Sequence, residues 1–199
     1  MNFILLIFYE IVLWIIALLA IPKTIYSFFA YKKYRQSLLP RFGIRYPVFD
    51  KQACPSIWMH AVSVGETKAM VSVARELKHR FPNHSLIISS VTETGHAEAK
   101  RSLPFADYHV YLPFDFSWIV YKIIKNAAPG LVILCESDFW LNFLYYSKRQ
   151  GAALALINGK MSERSMRRFH AVPFFAKRLF GLFDVLCVQN ALYQSRFTE

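Results

Sequence analysis

The sequence predicts an α/β fold in which helices cover both faces of a parallel sheet, with one long apolar helix in front of it. From residue 56 onward, short apolar runs alternate with amphipathic stretches, as expected for buried parallel strands joined by helices. The apolar runs are Ile57–Val62, Leu86–Ser90, His109–Leu112, Leu131–Cys135, Ala152–Ile157 and Val185–Val188. The helical stretches between them include Thr67–Phe81, Ser117–Asn126 and Phe139–Arg149. This alternation favours a Rossmann-like domain over residues 56–199.

The first element is an apolar segment that runs from Asn2 to Pro22 and carries a single charged residue, Glu10. About 20 apolar residues in a helix are enough to cross the hydrocarbon core of a bilayer. We therefore predict a membrane-anchor helix over residues 1–30, and the alternative of a helix lying in the membrane interface stays open. Because basic residues begin at Lys23, the positive-inside rule places the rest of the chain on the cytoplasmic side.

The net charge of +11 is concentrated in two segments. Residues 23–51 contain seven basic residues and one acidic residue: Lys23, Lys32, Lys33, Arg35, Arg41, Arg45 and Lys51, with Asp50. Residues 160–180 contain six basic residues and one acidic residue: Lys160, Arg164, Arg167, Arg168, Lys177 and Arg178, with Glu163. Cations beside an apolar segment favour anionic lipid headgroups as partners. The same charge would suit nucleic acid, but no nucleic-acid motif accompanies it. We predict a basic linker over residues 31–55, a membrane partner and no nucleic acid.

Cysteine and histidine usage gives no sign of a metal or cofactor site. The three cysteines, Cys54, Cys135 and Cys187, show neither CxxC nor zinc-ligand spacing, so we expect free thiols in a reducing compartment. The six histidines form no ligand cluster. The sequence also lacks the glycine fingerprint of dinucleotide-binding domains and the P-loop. We therefore predict no metal and no cofactor.

Polar residues follow several predicted strands, at the edge where Rossmann-like sheets bind ligands. Ser63, Gly65 and Glu66 follow the first strand, and Glu66 would begin a helix, where backbone N–H groups keep a carboxylate ionised. Such a carboxylate can accept a proton, but Ser63 and Glu66 also fit a capping box, so both roles stay open. Glu136 follows the strand Leu131–Cys135, and the same two roles, a catalytic carboxylate or a helix cap, stay open for it. Two carboxylates at neighbouring strand ends resemble a glycosyl-transfer pair.

Two further strand ends and one helix start offer groups that bind anions. Thr94 and Gly95 follow the second strand, and Asn158 and Lys160 follow the fifth. The alternative for these four residues is ordinary turn chemistry. Arg164 belongs to a basic helix start that could hold phosphate or carboxylate groups, and the alternative there is a solvated basic face.

Several of these segments together resemble a known family. His60–Glu66 reads HAVSVGE and closely resembles a segment of bacterial 3-deoxy-D-manno-octulosonic acid (Kdo) transferases. Glu136–Asn142 reads ESDFWLN and resembles that family's ETELWPN, while Ile157–Ser165 reads INGKMSERS and resembles its INARLSERS. Thr92–Gly95 and Tyr111–Asp115 correspond to its Thr-x-Thr-Gly and YLPYD stretches. These segments occur in the family's order, so the resemblance is specific and covers nearly the whole chain.

The resemblance implies the amino-terminal, acceptor-side lobe of a glycosyltransferase with the two-lobe GT-B architecture. It implies transfer of Kdo from CMP-Kdo to a lipid A precursor, lipid IVA, in lipopolysaccharide biosynthesis. That reaction would take place at the cytoplasmic face of the bacterial inner membrane, with inversion of configuration and without a metal ion. By the same resemblance, Glu66 is the proton acceptor and Glu136 stabilises the transition state. The residues expected to bind the acceptor are Ser63, Gly65, Thr94, Gly95, Asn158, Lys160 and Arg164.

The chain also departs from the family's pattern. Four positions of the second motif differ: Ser137, Asp138, Phe139 and Leu141. Gly159 and Lys160 replace an alanine and an arginine in the third, which indicates a divergent member. We expect the carboxyl-terminal lobe, which would bind CMP-Kdo, to lie beyond Glu199, so the isolated chain would be inactive without it. The alternative function is a non-catalytic, membrane-tethered lipid-binding module derived from the family.

Overall fold

A long helix precedes an α/β lobe in the computed structural model, which describes residues 3–31, 34–49 and 54–198. Four charged residues of the first basic segment lie outside the described residues: Lys32, Lys33, Asp50 and Lys51. The strands are β1 (Ser56–His60), β2 (Leu86–Ser90), β3 (Tyr108–Tyr111), β4 (Pro129–Cys135), β5 (Ala153–Gly159) and β6 (Val185–Val188). The helices are α1 (Phe3–Ala30), α2 (Leu38–Arg41), α3 (Val64–Arg80), α4 (Glu93–Ser102), α5 (Ser117–Ala127), α6 (Leu141–Arg149), α7 (Glu163–His170), α8 (Pro173–Phe180) and α9 (Ala191–Thr198).

The six strands form one parallel sheet in the order β3-β2-β1-β4-β5-β6. The chain starts in the middle at β1, builds outward to β3, returns to β4 beside β1, and builds outward again to β6. This is the strand order of a doubly wound Rossmann fold, whose topological switch point lies between the two central strands. The predicted fold class is therefore confirmed, and the predicted strands match the observed ones to within about two residues.

Apolar side chains cover both faces of the sheet. Trp58 and Val132 belong to the cluster on the α5 and α6 face, whereas Met59 and Ile133 belong to the cluster on the α3 and α4 face. Successive strand residues point to opposite faces, so a strand buried on both sides is apolar over most of its length. Each such large side chain stabilises the fold by roughly 1.5–3 kcal/mol when it is fully buried. This burial explains why the strands stood out in the sequence as short apolar runs.

Helix α1 is long and apolar enough to cross a membrane, judged by length and composition. The basic segment that follows α1 returns to the lobe. The Arg41 carbonyl accepts a hydrogen bond from the Phe114 N–H at 2.8 Å, and the Tyr46 hydroxyl donates to the Tyr111 carbonyl at 2.9 Å. Phe49 is buried in the core. The domain boundaries 1–30, 31–55 and 56–199 stay predictions. Residues 38–49, which belong to the predicted linker, pack against the α/β lobe.

Candidate active site

Four polar turns lie at one edge of the sheet, where parallel strands end. We call this edge, formed by Ser63–Glu66, Thr92–Gly95, Glu136–Asp138 and Asn158–Lys160, the carboxylate edge. Its centre is the boundary between β1 and β4, which run side by side to their ends. Glu66 and Glu136 follow these two strands and therefore flank the topological switch point, where doubly wound sheets bind their ligands.

Glu66 lies in a complete capping box at the start of α3. The Ser63 hydroxyl accepts a hydrogen bond from the Glu66 N–H at 3.2 Å and donates to Glu66 Oε1 at 2.9 Å. The Val62 N–H donates to Glu66 Oε2 at 2.8 Å. The carboxylate is half-buried beside the exposed Gly65, and each oxygen keeps lone-pair capacity beyond its one bond. The capping role of Glu66 is thus observed. Its carboxylate oxygens can still accept a proton, and the role of Glu66 as proton acceptor stays a prediction.

Glu136 has an unusual backbone conformation, with φ at 72°. Its neighbour at the end of β5, Asn158, also lies in the left-handed region, with φ at 53°. Such conformations cost of order 1–3 kcal/mol each in non-glycine residues and cluster at functional sites. The Glu136 N–H donates to the Ile157 carbonyl at 3.0 Å, and the Asn158 amide donates to Glu136 Oε1 at 3.5 Å. The two strained residues therefore hold each other at the carboxylate edge.

Lys160 forms an ion pair with Glu136, whose side chain is 17% exposed while that of Lys160 is 45% exposed. The hydrogen bond to Glu136 raises the pKa of Lys160, and the charge of Glu66 adds to this shift. Burial raises the pKa of the Cys135 thiol to about 12, and the charges of Glu66 and Glu136 contribute to that shift as well. The Cys135 thiol also donates to the Glu66 carbonyl at 3.6 Å, so the end of β4, just before Glu136, lies against the start of α3.

Thr94 and Gly95 lie at the start of α4, against the turn that carries Glu66. The Thr92 hydroxyl accepts from the Gly95 N–H at 3.0 Å and donates to the Val62 carbonyl at 3.0 Å. A Cβ atom on Gly95 would lie 2.6 Å from that carbonyl, so only glycine allows this close approach. Gly95 is thus buried and serves packing, whereas Thr94 is exposed. Acceptor binding by either residue stays a prediction.

A buried histidine was missed by the sequence interpretation. His60 is fully buried, and its Nδ1 lies 2.8 Å from the Ser89 hydroxyl while its Nε2 lies 3.2 Å from Asp138 Oδ2. Burial alone would raise the pKa of Asp138, but hydrogen bonds from His60 and Trp140, together with the charge of Arg41, lower it overall. The one signal in the sequence was a histidine at the end of an apolar strand. Nothing local indicated its partner.

The basic residues after β5 divide between two neighbouring cavities. One, of about 370 Å³, is lined by Asp138, Lys160 and Arg168 among others. The other, of about 490 Å³, is lined by Arg164, Arg167 and Arg168. Arg164 lines the second cavity and is absent from the lining of the cavity that contains Lys160. Among the residues that the structure describes, no three His, Cys, Asp or Glu side chains come together as a metal site would require.

Comparison with known proteins adds to this geometry. A sequence profile of the 3-deoxy-D-manno-octulosonic-acid transferase (kdotransferase) family matches residues 36–199. The chain belongs to this family. It is 36% identical over 89% of its length to a 3-deoxy-D-manno-octulosonic acid transferase of Chlamydia trachomatis serovar D, and 34% identical over 96% to one of Chlamydia pneumoniae. It spans 41% and 44% of these two relatives, or about two-fifths of their length.

A solved structure with a similar fold is described as a UDP-N-acetylglucosamine 2-epimerase from Listeria monocytogenes. The TM-score is 0.52, and the match covers 73% of this chain and 41% of that one at 8% sequence identity. At this identity the likeness concerns the fold alone.

In this kdotransferase family member, most of the predicted site residues do come together. Glu66, Glu136, Asn158 and Lys160 share the carboxylate edge, with Ser63 and Gly65 at the turn before Glu66. Thr94 and Gly95 lie at the adjoining helix start, and Arg164 lies apart on the basic face of α7. The grouping follows from the parallel sheet, because every strand in it ends at the same edge.

Proposed function

We propose that this chain is the acceptor-side lobe of a glycosyltransferase that moves Kdo from CMP-Kdo to a lipid A precursor, lipid IVA. One observation carries the proposal: in a kdotransferase family chain, two carboxylates, half-buried Glu66 and partly exposed Glu136, flank the switch point of the sheet. An acceptor hydroxyl that reaches this edge would meet both. The mechanism proposed below uses side chains of this lobe and no metal ion.

In this mechanism Glu66 accepts the proton of the acceptor hydroxyl. As the O–H bond breaks, the oxygen forms a bond to the anomeric carbon of Kdo, and the bond from that carbon to the CMP phosphate breaks on the opposite face. The bonding electrons leave with CMP, so the configuration inverts. The hydrogen bonds from Val62 and Ser63 fix the carboxylate in place, and general-base assistance is worth about 10²–10⁴-fold in rate.

Glu136 would stabilise positive charge that develops on the sugar ring during transfer. Its ion pair with Lys160 and its strained backbone fix its position. Anionic groups of the acceptor would be held by cations beside the edge, with Lys160 and Arg168 in one cavity and Arg164 in the next. Phosphate recognition by arginine and lysine is typically charge-assisted in this way.

The proposed place of this reaction is the cytoplasmic face of the bacterial inner membrane, where lipid IVA would be presented by the bilayer. The apolar α1 and the basic surface of the chain support contact with anionic lipids there.

The deciding experiment incubates the chain with CMP-Kdo and lipid IVA, alone and together with a separately produced donor-side lobe, and follows the product by mass spectrometry. We expect Kdo transfer only when both lobes are present. Binding of lipid IVA without transfer in the two-lobe mixture would favour the non-catalytic lipid-binding module. Absence of both binding and transfer would reject the proposal.

A further inference from the structure

One side of α1 packs against the lobe for much of its length. Leu6, Tyr9, Leu13 and Ala17 are partly buried against the core cluster that contains α5 and α6 side chains. The stretch from Leu6 to Ala17 covers about 17 Å of the helix axis, at about 1.5 Å per residue. The segment that has the length to cross a membrane is therefore attached sideways to the lobe.

Hydrogen bonds fasten this side of α1. We call Tyr9, Glu10, Asp115, Ser117 and Asn142 the latch. Glu10 Oε1 accepts from the N–H and the hydroxyl of Ser117 at 2.8 and 2.6 Å, and Glu10 Oε2 accepts from the Asn142 amide at 2.9 Å. The Tyr9 hydroxyl donates to Asp115 Oδ2 at 2.7 Å. Glu10, the single charged residue of the apolar segment Asn2–Pro22, thus binds the start of α5, where the helix dipole favours an anion.

The opposite side of α1 is apolar and exposed. Phe8, Ile15, Leu19 and Tyr26 are each more than half exposed. With about 3.6 residues per turn, these four positions form one row on the side of the helix away from Glu10. Together with exposed apolar side chains beside it, such as Ile11 and Leu18, this row requires an apolar partner.

The neighbouring surface of α5 is aromatic and basic. Trp118 and Trp14 line the same apolar groove of about 340 Å³ between α5 and α1. Tyr121, Lys122 and Lys125 are exposed along α5. Tryptophan and tyrosine concentrate at the headgroup level of membranes, and lysines there attract anionic lipids. A bilayer surface therefore fits the row and its surroundings better than a second copy of this chain, which would bring equal positive charge.

We propose that α1 lies along the surface of an anionic bilayer, held on the lobe by the latch, and does not cross the membrane. Crossing would require α1 to leave the lobe, because the basic lobe cannot follow it into hydrocarbon. Leaving would break the Glu10 hydrogen bonds and the hydrogen bond from Tyr9 to Asp115, which is buried and would keep only the Asn142 and Phe143 N–H groups as side-chain donors. This placement holds whether or not the chain transfers Kdo.

Depth measurements with spin labels test the placement. Single cysteines at Phe8, Ile15, Leu19 and Tyr26 carry a nitroxide in the 199-residue chain, after Cys54 and Cys187 are replaced by serine. Cys135 stays, because it is buried. The protein is bound to vesicles of phosphatidylethanolamine and phosphatidylglycerol, and electron paramagnetic resonance with oxygen and a nickel complex gives the depth of each label.

For a helix in the plane of the membrane we expect all four labels at similar depth, about 5–10 Å below the headgroups. A crossing helix would place Phe8 and Tyr26 about 27 Å apart in depth, with Ile15 and Leu19 near the middle, and this result would overturn the proposal. Spin–spin coupling between labels without lipid contact would also overturn it, since the occupant would then be a second copy.

The latch is tested by Glu10→Ala, with labels at Leu13 and Ala17. These positions face the lobe, so their oxygen collision rates should be low in the parent chain and rise severalfold when the latch is broken. Ser117→Ala removes only one hydrogen bond to Glu10 and should give a smaller rise, which keeps the test valid if Glu10→Ala folds poorly. Glu76→Ala, on α3, is the matched control and should give no rise. Unchanged rates in both latch variants would refute the role of the latch.

Discussion

Glu66 and Glu136 at the carboxylate edge and Glu10 and Asp115 in the latch are two pairs of carboxylates whose surroundings differ. At the edge, each Glu66 oxygen accepts one hydrogen bond, and Glu136 faces a lysine that is 45% exposed. In the latch, the Glu10 and Asp115 side chains accept three hydrogen bonds each, and five of the six donors are backbone N–H groups or side chains at the starts of α5 and α6. The edge carboxylates keep more capacity for a ligand, whereas the latch carboxylates are more nearly saturated by the fold.

This difference shows why residue type does not decide function. A carboxylate whose acceptors are filled by fixed donors stabilises the position of an element, here α1. A carboxylate held by a few bonds at an open edge remains available for proton transfer. The following substitutions separate the two situations.

Glu66→Gln should have the largest effect. Glutamine keeps an acceptor for the helix cap but cannot take a proton, so we expect Kdo transfer by the complete enzyme to fall about 10²–10⁴-fold with acceptor binding retained. Initial rates with CMP-Kdo and lipid IVA measure this. Glu76→Gln, in an exposed ion pair on the same helix, is the control and should keep full activity. Normal turnover in Glu66→Gln would contradict the proposed role of Glu66 as proton acceptor.

Asp115→Ala should have the largest effect on stability. It leaves the Tyr9 hydroxyl and the N–H groups of Asn142 and Phe143 without their acceptor, and we expect a loss of about 3 kcal/mol in the free energy of unfolding. Denaturant titration in detergent measures this loss. Asp107→Ala is the matched control, because Asp107 also accepts from a backbone N–H but is 34% exposed. Equal losses in the two variants would contradict a saturated, buried latch.

Lys160→Met should change activity more than stability. The ion pair with Glu136 is partly exposed, so its removal should alter the free energy of unfolding by less than about 1 kcal/mol. Loss of a charge-assisted hydrogen bond to the acceptor should lower kcat/KM about tenfold, which steady-state kinetics can measure. Lys148→Met removes a similar ion pair with Asp184, which lies near the start of β5 and away from the carboxylate edge, and should leave kcat/KM unchanged. Matching kinetics for the two variants would refute a role for Lys160 in binding.

The sequence was sufficient to predict the sheet and much of the carboxylate edge. Strands buried on both faces are mostly apolar, and parallel strands end at one edge, so local patterns place Glu66 and Glu136 at the same edge of the sheet. The latch could not be predicted in this way. Tyr9 and Asp115 are separated by 106 residues, and the pairing depends on how α1 docks, which no local pattern encodes. The lone charge of Glu10 in an apolar run was the available signal.

The pair of His60 and Asp138 illustrates the same limit. The two residues are 78 positions apart, and the structure joins them because β1 and β4 are neighbours in the sheet. The strand order could be inferred from the fold class, but the side-chain contact depends on the turn after β4. That turn contains Glu136 in a left-handed conformation, which is rare for glutamate and therefore hard to predict.

The pH dependence of stability gives the smallest and most specific test of the latch. Burial raises the pKa of Asp115 to about 7, although hydrogen bonds from Tyr9, Asn142 and Phe143 lower it, and the charge of Glu10 raises it further. An unfolded aspartate titrates near about 3.9. Between these values the folded chain binds a proton that the unfolded chain has released, so this group's contribution to stability is lost as the pH rises towards 7.

Asp115→Asn should remove that contribution, because asparagine does not titrate in either state. Unfolding midpoints of the parent chain and the variant, measured from pH 5 to pH 8, should therefore differ by an amount that changes with pH up to about 7 and then levels off. The pH-dependent contributions of the other titrating groups are the same in both proteins and therefore cancel in this difference. Parallel curves over the whole range would mean that Asp115 keeps an ordinary pKa, and that the donors of the latch outweigh its burial.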